Sequence, residues 1–175
     1  MNLDDLDGRL GEGWGGLSPN GIHVNVMLAK RGSAAAGAAT SMFAHPAPGH
    51  SPVLCCVGAS QPEYQPIWPP TLMMNKTTAT TPHLETMTWG PGQLGIGQAV
   101  LDSVAAGLIE ASGDLIVLVA IWLDARADDE TKVRHAAREA VGKAIRMAVE
   151  GRDPEAAAQL VLDRDSLRNP VDSGD

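Results

Sequence analysis

The pattern of apolar and polar positions first becomes regular at residue 22. In IHVNVML, residues 22 to 28, Ile22, Val24, Val26 and Leu28 make one face, while His23 and Asn25 share the other. Strand side chains alternate between faces, and residues two apart lie about 7 Å apart along the chain. The run therefore predicts a strand with a core face and a polar face. KRGSAAAGAATSMFA (30–44) reads as a turn and an alanine-rich helix with Ser33 as its N-cap. HPAPGHSP (45–52) is a loop by its proline and glycine content, and VLCCVGA (53–59) is an apolar run of strand length. Prolines exclude regular structure from SQPEYQPIWPP (60–70), whereas TLMMNKTTATT (71–81) resumes a strand-like pattern.

Ile96, Ala99, Val100, Ser103 and Val104 recur at helical spacing. LIVLVAIWL (115–123) is too short to span a bilayer and predicts a buried strand. A long amphipathic helix follows. Asp128 or Asp129 caps it, its apolar stripe runs from Val133 to Ala148, and Gly151 ends it before Pro154 opens a shorter helix. The order β-α-β-β-α-β-α predicts a single α/β (α+β) domain, one sheet covered by helices. Residues 1–16, rich in glycine and aspartate, are expected to be a flexible segment. Residues 17–150 are expected to form the domain, and 151–175 a short helix and polar tail.

Composition narrows the partners. Aromatics are only four Trp, one Tyr and one Phe, so the core must be built from Ala, Val, Leu, Ile and Met. The formal net charge of -8 argues against nucleic acid or an anionic membrane, both of which call for clustered Lys and Arg. The only cysteines, Cys55 and Cys56, are adjacent and cannot staple distant segments. They read as small residues in an apolar strand, or as a reactive vicinal dithiol. With no other cysteine and an acidic, glycine-rich start instead of a signal peptide, a cytoplasmic setting is expected.

Candidate chemistry is sparse. GPGQLG (90–95) matches a dinucleotide fingerprint in letters only, because Asp114 opens the next strand instead of closing it and Pro91 intrudes on the turn. Its glycines are expected to let a helix begin with open amides, with Gln93 at that N-terminus. The histidines His23, His45, His50, His83 and His135 have no zinc spacing, so no metal is expected, and His45 and His50 read as solvated. The acids of DARADDE (124–130) suit a helix N-terminus better than a calcium loop. Lys76 and Thr78, two apart on a predicted strand, would share a face and, beside His23 and Asn25, would line a pocket.

These pieces stand in a recognisable order. His-x-Asn in the first strand, LCCV, PPTLMMNKTT and WGPGQLGIGQAVLDSVAAGLI resemble the formaldehyde-activating enzyme family from about residue 20 to residue 150. The resemblance implies that family's ribosomal-protein-domain-like fold and a homo-oligomeric ring of four to six subunits, typically five, with the site between subunits. It also implies condensation of formaldehyde with tetrahydromethanopterin as co-substrate, giving the methylene derivative and water. On the matching motifs, the family's acid falls on His23, and its substrate-contacting leucine, lysine, threonine and glutamine fall on Leu54, Lys76, Thr78 and Gln93. An imidazole suits the role because it changes charge near neutral pH.

Two departures stand out. The family pattern has aspartate where this chain has Asn25, and the segment between Leu54 and Lys76 is longer, with SQPEYQPIWPP inserted. Asparagine carries no charge with which to favour an imidazolium. The expectation is therefore a formaldehyde-binding paralogue that senses formaldehyde and regulates a stress response through a further protein partner. A working enzyme that tolerates Asn25 is the alternative.

Overall fold

A computed structural model describes residues 2–45 and 47–169. Its strands are β1 (Leu10–Gly15), β2 (Ile22–Lys30), β3 (Val53–Leu54), β4 (Cys56–Val57), β5 (Gln65–Pro66), β6 (Thr71–Asn75) and β7 (Leu115–Leu123). Its helices are α1 (Leu3–Leu6), α2 (Ala34–Ala44), α3 (Pro82–Met87), α4 (Gln93–Ala105), α5 (Glu130–Glu150) and α6 (Pro154–Leu162). Five strands form one sheet in the order β1-β2-β7-β6-β3, antiparallel except for the β6–β7 pair, and β4 and β5 make a separate two-stranded ribbon. The parallel pair requires a crossover, which α3 and α4 supply. Fold class and helix-covered sheet are as the residue pattern predicts.

One face of the sheet carries the core. Ile22, Val24, Val26 and Leu28 of β2 are fully buried, as is the stripe of α5 from Val133 to Ala148. The continuous apolar run of β7 is explained by cover on both faces. Its Val117, Val119 and Ile121 join the main core, while Leu118 packs with Ala29 and Ala36 under α2. Beyond α2 that second face is open, and Leu10 and Trp14 of β1 are exposed on it.

The largest departure from expectation lies at residues 1–16. Far from being flexible, this stretch forms α1 and the edge strand β1, paired with β2 from Leu10↔Met27 to Gly15↔Ile22. The glycines that suggest mobility are there for close approach. A Cβ built on Gly11, Gly13 or Gly15 would lie 2.0, 2.0 and 2.1 Å from the backbone oxygens of Ala144, Ala140 and Ala136. Alternate strand residues and successive helical turns advance by about 6.7 and 5.4–6 Å. Three bare positions thus let β1 lie directly against the alanine side of α5.

Three smaller corrections follow. VLCCVGA is not one strand: the chain turns at Cys55, whose N–H donates to Thr71 O while its carbonyl accepts from Ile67 N, so β3 joins the sheet and β4 leaves it. The strand at 71 ends at Asn75, leaving Lys76 and Thr78 beyond it. The helix near Gly95 has no open N-terminus either. Residues Thr88–Gly92 form a π turn containing Pro91 that joins α3 to α4, and the Gln93 N–H is bonded to Gly90 O and Thr88 O. The wider turn accommodates a residue with no N–H to give. Pro46 of the expected 45–52 loop and residues 170–175 of the expected polar tail lie outside the described residues.

Candidate functional site

On the open face, strand register assembles a row of rings. Trp14 of β1 pairs with His23 of β2, which pairs with Trp122 of β7. Trp14 lies 6.1 Å from the His23 ring at 38° and 5.7 Å from Trp122 at 32°. These tilted geometries are typical of packed rings. The next row holds Glu12, Asn25, Ala120 and Met74. Just past β6, Lys76 is anchored by its N–H to Ile121 O at 2.7 Å.

Four polar side chains converge there. Glu12 Oε2 lies 3.0 Å from His23 Nε2, the Lys76 ammonium meets His23 Nδ1, and the same ammonium donates to Asn25 Oδ1 at 2.9 Å. A carboxylate only accepts and an ammonium only donates. The neutral ring that satisfies both therefore carries its proton on Nε2. Burial disfavours the charged form of Lys76 and pulls its pKa below the ordinary lysine value, partly opposed by the negative charge of Glu12. A proton held between Nζ and Nδ1 can be delivered to a small molecule on this open face.

The other expected site residues lie apart. Leu54 is exposed on β3 opposite Leu72. Thr78 is exposed and faces His50, its Oγ1 3.4 Å from Nε2, so Lys76 and Thr78 turn to different neighbours because the strand has ended. His50 is not simply solvated, since its Nδ1 lies 2.9 Å from Asn75 O and donates there. Gln93 sits on the helical side, accepting from Cys56 N at 2.9 Å and donating to Trp89 O at 2.6 Å. It lines a cavity of about 320 Å³ with Cys56, Tyr64, Trp89, Glu130 and Arg134. The inserted segment supplies Tyr64 to that wall.

Sequence reasoning missed Glu12, Trp14 and Trp122. The signal for the first two was available: in LGEGWG, Glu12 and Trp14 alternate with glycines at the period of a strand. Among the described residues no group of three or more His, Cys, Asp and Glu is placed to hold a metal ion. No helix there is long and apolar enough to cross a membrane.

Comparison with known proteins bears on this geometry. The profile described as "Formaldehyde-activating enzyme (Fae)" matches residues 10–171. The chain is 31% identical over 167 residues to the 5,6,7,8-tetrahydromethanopterin hydro-lyase of Methanosarcina barkeri, covering 94% of this chain and 90% of that protein. It is 28% identical over 145 residues to the bifunctional enzyme Fae/Hps of Methanosarcina acetivorans, covering 82% of this chain and 36% of that longer protein. For the bifunctional enzyme Fae/Hps of Methanococcoides burtonii the identity is 30% over 145 residues, covering 81% of this chain and 35% of that protein.

Proposed function

Because the chain belongs to the formaldehyde-activating enzyme family, we propose that it condenses formaldehyde with a secondary amine of a reduced pterin, tetrahydromethanopterin in the first instance, with His23 as the acid. The observation that carries this reading is the contact of His23 with both Glu12 and Lys76. The amine nitrogen attacks the formaldehyde carbon and gives a carbinolamine. A proton passes from the His23–Lys76 pair to its hydroxyl oxygen, the C–O bond breaks, and water leaves an iminium ion. A second amine of the pterin adds to the iminium carbon and returns its proton to the imidazole, closing the methylene bridge. Shared between Nδ1 and the Lys76 amine, the returned proton restores the starting pair, and Asn25 holds the lysine in reach.

The remaining residues fit a site shared between copies. Gln93 and its cavity lie on the helical side of the sheet, while His23 lies on the opposite face. A homo-oligomeric ring, in which one copy brings Leu54, Thr78 or Gln93 to the His23 face of the next, would complete the pocket. A cytoplasmic location, suited to a metabolic condensation, belongs to the same proposal.

A second reading has its own support. Asn25 is uncharged where the family resemblance implies aspartate, and both ends of the Gln93 amide are engaged within the chain, which favours a formaldehyde-binding sensor with no pterin turnover. Calorimetric titration with formaldehyde, repeated with tetrahydromethanopterin while product absorbance is followed, separates the two. The enzymatic reading expects acceleration over the spontaneous condensation and a loss of about 10²- to 10⁴-fold in His23→Ala, the usual scale of general acid help. Saturable binding with no acceleration would overturn it in favour of the sensor.

A further inference from the structure

On β2 the neighbour of His23 on the open face is the uncharged Asn25, yet a carboxylate is present. It comes from the neighbouring strand, where Glu12 is the register partner of Asn25 and reaches His23 Nε2 at 3.0 Å. Glycines on either side of Glu12 seat β1 against α5, which fixes the direction in which Glu12 and Trp14 project. We propose that Glu12 is a positioning residue for His23: it holds the ring by Nε2–H, leaves Nδ1 to Lys76 and the substrate, and supplies from β1 the negative charge that Asn25 lacks. What the oriented ring then does rests on the condensation reading above; the orientation itself does not.

Among the described residues, the groups facing the imidazole are Glu12 and Trp14 from β1, Trp122 from β7, Lys76 beyond β6 and, on β2 itself, the uncharged Asn25. Glu12 accepts from Nε2–H and the Lys76 ammonium donates to Nδ1, so removing either one frees the ring to turn or change tautomer. The Glu12 and His23 side chains are 58% and 32% exposed, and an ion pair so exposed adds little stability. Loss of Glu12 should therefore appear in the behaviour of the ring and leave melting nearly unchanged.

The test compares Glu12→Gln, which keeps an oxygen for Nε2–H but removes the charge, with Glu12→Ala, which removes both. The tautomer of the neutral His23 ring is followed by its ¹⁵N shifts, and turnover is measured with formaldehyde and tetrahydromethanopterin. In the parent the ring proton is expected on Nε2; Glu12→Gln, which keeps an acceptor, is expected to retain that tautomer, and Glu12→Ala to lose the preference. kcat is expected to fall about tenfold in Glu12→Gln with little change in KM, and further in Glu12→Ala. Adding Asn25→Asp to Glu12→Gln is expected to recover part of kcat. A tautomer unchanged by Glu12→Ala or, in a parent that turns over, no recovery with Asn25→Asp would overturn the proposal. If the parent shows no condensation but Glu12→Ala loses the Nε2–H tautomer, the condensation reading fails and the positioning role stands.

Discussion

Replacing Gly13 by alanine tests the contact on which the whole site face depends. The added Cβ would sit 2.0 Å from Ala140 O and 3.0 Å from Ala140 C, both backbone atoms in the middle of α5. No rotamer can relieve that clash, so β1 and the helix must separate by about 1 Å. A radial gap of that size forfeits roughly a quarter to a half of each dispersion contact, and overpacking of this kind costs about 1–3 kcal/mol. Against it stands a gain of about 0.4–1 kcal/mol from the stiffer unfolded chain. The clash wins by about 1–2 kcal/mol, which for a chain of this size lowers Tm by roughly 2–8 °C. Gly142→Ala is the control: it lies inside α5 with nothing within 4 Å of its Cβ position, and should stabilise by about 0.5–1 kcal/mol through helix propensity alone. Both are read by thermal and urea unfolding. A Gly13→Ala protein as stable as the parent, or more so, would refute the close approach of β1 to α5 and the placement of Glu12 that follows from it.

Three further outcomes are expected. Hydrogen bonds from Arg126 hold the Asp124 carboxyl down at about 2, against an ordinary value of 3.8; the stabilisation is complete above the ordinary value and is lost as pH falls from about 4 towards 2. Asp124→Asn should flatten that part of the stability–pH curve measured by urea unfolding. Cys55 is fully buried and its thiol is pushed up to about 12 by burial, whereas Cys56 is half-buried at the cavity wall; a thiol reagent should label Cys56 alone in the folded protein and both cysteines after denaturation, as counted by peptide mass. Asn20, 3% exposed, accepts from the Asp128 and Asp129 amides at 3.0 Å and donates to Asp128 Oδ1 at 2.9 Å. Asn20→Ala strands those amides ahead of α5 and should cost about 2–3 kcal/mol in urea unfolding.

The amphipathic helix at 130–150 and the strand at 22 were legible in the chain because each buries a periodic face, the strand at 115 because its run is apolar throughout, and the helix at 34 by its Ser33 cap and alanine content. A period of 2 or 3.6 is a property of neighbouring residues and needs no knowledge of what covers it. Strand alternation put His23 and Asn25 on one face; Lys76 was singled out with Thr78 by the same spacing, and it meets them from just beyond the end of its strand. What the sequence by itself determined, then, was the principal strands and helices from β2 onward, the core faces of β2 and α5 and the polar pair on β2.

Tertiary structure decided the rest. LGEGWG looks like a flexible segment until α5 is laid across it, because a glycine needed for close approach and a glycine that merely loosens the chain are the same letter. Only the packed helix distinguishes them, and with β1 in place Glu12 arrives beside an imidazole 11 positions further on. The π turn at Pro91, the parting of β3 from β4 at Cys55 and the separation of Gln93 from His23 are likewise set by which backbone groups find partners across the fold. Hydrogen-bond partners distant in sequence leave no local period, so the charge facing His23 became visible only when the strands were paired.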